Sequence, residues 1–115
     1  MESKPIKIAF ATTGTKGIED DVSHEFGRSK TFTVVDIEGG KVKSVKVIQN
    51  PATTLSHGKG PVVAKYLSDL QVNMVVSGEF GPGASILLNE LKITKLIVKP
   101  GQRVIDVLKE KGLIS

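Results

Sequence analysis

Apolar positions along this chain keep the short period of strands up to residue 48 and then change to a helical period. The run Ile6 to Ala11, bounded by Pro5 and Gly14, has the length of a buried strand. Thr31 to Glu38 and Lys41 to Ile48 are rich in β-branched residues. The Gly39-Gly40 pair between them can take the positive φ angles of a two-residue primed turn, so the two runs predict a hairpin. In its second arm Val45 and Val47 alternate around Lys46, which predicts a wet face; Val42 falls on the other parity, as in a bulge or a frayed start.

Beyond Ile48, Pro61 suits a first helical position, and Val62, Val63, Tyr66, Leu67 and Leu70 follow as one apolar stripe. Val72 to Ser77 reads as a buried strand, Gly78 to Gly83 as a glycine loop, and Ala84, Ile86, Leu87, Leu88 and Leu91 as a second helix. Thr94 to Lys99 is a further strand stopped by Pro100-Gly101. Val104, Ile105 and Leu108 form a last short helix ending near Gly112.

Strands alternating with helices in the second half demand parallel pairing through right-handed crossovers, so the class is α/β with a five-stranded mixed sheet. If the first strand pairs antiparallel with the first hairpin arm, four strands share one direction. Their C-terminal ends then open on a single edge, where ligands bind in open α/β sheets. The loops expected there are Thr12 to Lys30, Asn50 to Gly60, Gly78 to Gly83, and Pro100 to Gln102.

Composition narrows what that edge can do. The 115 residues suit one domain spanning 1–115. No apolar run approaches the roughly 20 residues of a membrane span, and "MESKPIKIAFATTG" lacks the pattern of a signal peptide, so a cytoplasmic protein is expected. Absence of cysteine excludes disulfides, thiolate catalysis and all-cysteine metal sites. The net charge of +4 is spread along the chain, and aromatics make up only 4% of it; nucleic-acid binding is disfavoured, whereas a small anionic ligand suits the field.

His24 and His57, the two histidines, both fall on loops of this edge, and neutral imidazole ligates iron, zinc or copper. The bland alternative is a pair of exposed loop histidines. Arg28 offers a planar fork of donors for an oxyanion, or else fastens its loop through Glu25 or Asp36. Phe26 reads as a loop anchor, and Lys59 stands within reach of the same space or in solvent. "SGEFGPGA", Ser77 to Ala84, is a strand-to-helix turn whose backbone N–H groups can receive an anion. It is neither a Walker loop nor the dinucleotide fingerprint. No serine sits in a nucleophile elbow, and the first strand carries no Asp or Glu for a two-metal nuclease site. Catalysis lacks its parts.

Taken in order, "KIAFATTG", "VSHEFGRSKTFTVVDIEGGKV", "NPATTLSHGKG" and "VVSGEFGPGA", with a closing strand and helix, resemble the dinitrogenase iron-molybdenum cofactor biosynthesis family over about Ile6 to Leu108. The resemblance implies a ribonuclease H-like three-layer α/β/α fold. It also implies non-enzymatic, transient carriage of an iron-sulfur or iron-molybdenum cluster or its precursor, with cofactor-assembly proteins as partners. The cargo site it implies draws on His24, Arg28, His57, Lys59, Ser77, Gly78, Glu79 and Gly81, with His57 and His24 as metal ligands. The family commonly has His directly before Phe-Gly-Arg; here Glu25 holds that position and His24 stands one residue earlier, a shift that turns an extended side chain to the opposite face. Gly83 stands where the family often has Asn. The alternatives are a small-anion effector module without metal and a protein-interaction module. The sequence leaves oligomeric state open.

Overall fold

A computed structural model describes residues 4–115 of the chain. In order it forms β1 (Ile6–Thr12), a 3-10 turn (Gly17–Glu19), β2 (Thr31–Glu38), β3 (Lys41–Gln49), α1 (Lys59–Asp69), β4 (Met74–Ser77), α2 (Pro82–Glu90), β5 (Thr94–Ile97) and α3 (Val104–Glu110). The five strands make one sheet in the order β3-β2-β1-β4-β5. β1 runs antiparallel to β2 and parallel to β4, β2 antiparallel to β3, and β4 parallel to β5, so β1, β3, β4 and β5 point one way.

Helices cover both faces of this sheet. Ala9, Ala11, Phe32, Val34 and Val75 pack with Val63, Ala64 and Leu67 of α1 and Ala84 and Leu88 of α2. Ile8, Phe10, Val35, Ile37 and Val76 turn the other way, against Val104, Val107 and Leu108 of α3. Alternate residues of β1 and β2 therefore supply two cores, which is why both strands read as nearly unbroken apolar runs. Among the described residues no helix is long and apolar enough to cross a membrane.

The hairpin closes on Gly39 and Gly40 at φ 62° and 74°, values that suit the glycines of a primed turn. Its parity puzzle resolves as a bulge: Asp36 pairs with Ser44 but Ile37 with Val42, leaving Lys43 as the inserted residue. The shift places Val42 on the same face as Ile37, against the α3 core.

Several expected boundaries move. α1 begins at Lys59, with Gly58 as its cap, so Pro61 is the third helical residue rather than the first. Its buried stripe is Val63, Ala64 and Leu67; Val62 and Tyr66 are exposed, as is Ile86 of α2. β4 starts at Met74 because Val72 closes α1, its N–H donating to the Leu67 carbonyl at 3.2 Å after Gln71 turns left-handed at φ 65°. β5 stops at Ile97. α3 ends at Glu110, and Gly112 at φ 70° closes it as expected. The 3-10 turn lies in a segment the hydrophobic pattern left as loop. Buried Asp20 shapes it, accepting from the Thr13 hydroxyl, the Lys16 N–H and the Asp21 N–H at 3.2, 3.1 and 2.8 Å.

Candidate functional site

At the C-terminal ends of the parallel strands, three of the four expected loops meet. Phe26, fully buried, lies edge-on to Phe32 with ring centroids 5.5 Å apart and within 5.0 Å of Phe80, anchoring the 23–30 loop and the β4–α2 loop to one core. The backbones of the two loops pair as short extended segments: Gly78 N–H donates to Ser23 O at 2.9 Å, Phe26 N–H to Glu79 O at 3.2 Å, and Glu25 bridges Glu79 in parallel. Side chains in such a segment alternate. Glu25 accordingly lines a cavity at the loop junction, while His24 lies outside its lining, with Nε2 3.7 Å from the Glu79 carboxylate.

Close backbone approach builds the cavity floor. A Cβ on Gly27 would stand 2.9 Å from the Gly60 nitrogen, and one on Gly60 would stand 2.8 Å from the Ala84 Cβ, so the 23–30 loop, α1 and α2 touch only because both positions lack side chains. The fourth loop, Pro100 to Gln102, does not reach the cavity lining. Val22 takes it instead, exchanging backbone bonds with Gly101 and Gln102 at 3.0 and 2.8 Å. The first half of the Thr12–Lys30 loop is tied down likewise, through Asp20 and through Arg103, whose guanidinium reaches Glu19 at 2.6 Å.

The resulting cavity measures about 440 Å³. Arg28, Lys59 and His57 line it together with Glu25, Glu79 and Gly81. Arg28 Nε lies 3.5 Å from the Glu25 carboxylate in a largely exposed pair. The Ser56 hydroxyl lies 3.1 Å from His57 Nδ1, which leaves Nε2 as the ring atom free to meet a ligand. Two helix N-termini open on the same space. α1 starts after Gly58 and α2 after Gly81, neither has a side-chain cap or an acidic residue in its first turn, and Gly60, Gly83 and Ala84 belong to the lining. The two helix dipoles therefore add positive potential to a lining in which Arg28 and Lys59 are matched by Glu25 and Glu79.

Of the eight expected site residues, Arg28, His57, Lys59, Glu79 and Gly81 share the cavity. Ser77 is buried and braces the loop, its hydroxyl donating to Glu79 O at 3.1 Å. Gly78 packs under the His24 backbone, where a Cβ would stand 2.6 Å from its carbonyl oxygen. Among the described residues no group of three or more His, Asp or Glu is arranged to hold a metal ion. Of the two histidines, His57 lines the cavity and His24 does not. Two contributors went unread in the sequence. Glu25 lines the cavity, for which its place before Phe-Gly-Arg was the available signal. Buried Asn50 ties the 23–30 loop to the start of the 50–60 loop, its amide donating to Gly27 O and Ser29 O at 3.0 and 2.7 Å while its carbonyl oxygen accepts from Ala52 N–H at 2.8 Å. Only the last of these, a local Asx turn, is visible in an Asn-Pro dipeptide.

The family model for dinitrogenase iron-molybdenum cofactor proteins matches residues 4–112. The uncharacterized protein MJ0580 of Methanocaldococcus jannaschii is 33% identical over 93 residues, covering 81% of this chain and 75% of its own. Among solved structures, the apo form of the orange protein from Desulfovibrio gigas superposes with a TM-score of 0.82 at 27% identity, covering 95% of this chain and 88% of that one. A Thermotoga NifB candidate protein solved by NMR gives a TM-score of 0.73 at 26% identity, over 91% of this chain and 88% of that one.

Proposed function

The chain belongs to the dinitrogenase iron-molybdenum cofactor family, and from that membership we propose that it binds and transiently carries an anionic metallocluster of iron-sulfur or iron-molybdenum type, or a precursor, without turning it over. One observation carries the reading: the N-termini of α1 and α2, neither with a side-chain cap, meet Arg28, Lys59 and His57 at one cavity, whose lining also holds Glu25 and Glu79. Helix N-termini and cations favour a negative ligand, and the exposed Glu25 and Glu79 offset part of that field. A water molecule's share of liquid volume is about 30 Å³, so 440 Å³ gives room for a cargo of many atoms rather than a single oxyanion. His57 is the imidazole of the cavity wall and the soft donor within it. With no cysteine in the chain, charge and N–H groups hold most of the cargo, which suits release to a recipient better than permanent ligation.

Donor and recipient are cofactor-assembly proteins of the cytoplasm in this reading. The 3-2-1-4-5 strand order with helices on both faces is compatible with the ribonuclease H-like fold. A metal-free anion would use the same cradle, and the lack of a three-donor group among the described residues favours that second reading as far as direct metal ligation goes.

Anaerobic incubation with isolated iron-molybdenum cofactor, or with an iron-sulfur precursor, separates the two readings. Co-elution of iron with the protein on gel filtration, reduced in His57→Ala, is expected. Failure of every cluster to co-elute with the wild-type chain would reject cluster carriage, and a thermal midpoint raised by phosphate or carboxylates alone would move the assignment to an anion effector.

A further inference from the structure

We propose that Asn50 is a positioning residue of the cavity: it clamps the backbone on both sides of Arg28 and so aims the guanidinium at an anionic cargo that Asn50 itself does not touch. The inference rests on the reading of the cavity as a cargo site, and deepens it. Asn50 is absent from the lining and only 3% exposed, whereas Arg28 lines the cavity and has its side chain 69% exposed. A long exposed side chain is held in place only by its backbone and its local pair. The pair here is Arg28 Nε with Glu25 at 3.5 Å, too exposed to fix one rotamer.

The backbone is fixed far better. The Asn50 amide donates to the carbonyls of Gly27 and Ser29, the residues immediately before and after Arg28. Asn50 N–H also donates to Lys30 O at 3.3 Å. The remaining acceptor of the amide, Oδ1, takes the Ala52 N–H and thereby starts the 50–60 loop that carries His57 and Lys59. A single buried side chain thus joins the Arg28 wall of the cavity to its His57 wall, 23 and 21 residues apart in sequence from the two carbonyls it holds. Both donors and one acceptor lone pair of the amide are used, and a carboxylate at this place would face two carbonyls with no proton to give.

Asn50→Asp keeps shape and the Ala52 bond but removes both clamps. The chain has only two arginines, so Arg103, ion-paired with Asp106 at 3.0 Å, is an internal reference for arginine Nε–H NMR signals. In cargo-free Asn50→Asp the Arg28 Nε–H signal is expected to shift and lose its heteronuclear NOE while that of Arg103 stays put. Affinity for isolated iron-molybdenum cofactor should fall about tenfold, with no comparable further loss when Asn50→Asp is added to Arg28→Gln. An unmoved Arg28 signal in folded Asn50→Asp, or an equal loss in the Arg28→Gln background, would overturn the inference. Asn50→Ser, which can still accept from Ala52 but cannot span both carbonyls, serves the same two comparisons if Asn50→Asp does not fold. A wild-type chain that fails to bind the cofactor would sink the cargo reading, while the Arg28 signal would still decide whether the clamp exists.

Discussion

A carboxylate and an imidazole one position apart do different work in His24-Glu25-Phe26. Backbone pairing with Glu79 holds the segment extended, so Glu25 lines the cavity while His24 stays out of the lining and meets the Glu79 carboxylate. The sequence already carried this in the one-residue offset of His24, because a period of two is a property of any extended segment. What it did not carry was the identity of the partner strand, which is set by contacts 54 residues away between Glu25 and Glu79. Glu25 neutralises part of the field that Arg28 projects. Replacing it by Gln should tighten binding of isolated iron-molybdenum cofactor by about two- to fivefold, the range that an exposed ion pair is worth. Equal or weaker binding in fluorescence or metal-partition titrations would show that Glu25 contacts the cargo favourably instead.

At the level of elements, hydrophobic period located every strand and helix but not their ends. Val62 and Tyr66 fitted the stripe of α1 by spacing, yet the helix buries Val63, Ala64 and Leu67, sets Gly60 against Ala84 of α2, and leaves both side chains exposed. No local signal encodes which side of the stripe meets the sheet. The bulge at Lys43 was half legible, since Val42 broke parity, and only the β2 register chose between bulge and fraying. The glycine contact between helices makes its own prediction. A methyl at Gly60 would gain up to about 1 kcal/mol of helix propensity. It would meet the Ala84 Cβ at 2.8 Å, an overpacking that costs about 1–3 kcal/mol. Gly60→Ala should therefore lower the thermal midpoint by several degrees and weaken cofactor binding by spreading the two helix ends. A raised midpoint with binding unchanged would show that the helix ends do not depend on this contact.

Over the whole molecule, function follows from chain direction. Four strands pointing one way bring loops distant in sequence to one edge, and this much was derivable from the order of elements. The sequence could not tell that the edge divides. Pro100 to Gln102 and the turn around Asp20 close on each other through Val22, leaving the cavity to the 23–30, 50–60 and 78–83 segments. The central claim is that a cluster sits between the N-termini of α1 and α2. Titrating isotope-labelled protein anaerobically with isolated iron-molybdenum cofactor, and mapping which amide signals broaden near the paramagnetic metal, tests it most directly. Loss confined to Arg28, Lys59, Gly60, Gly83 and Ala84, with Gly101 and Gln102 sharp, is the predicted result; broadening centred on α3 or the β3 edge, or none at all, would contradict it.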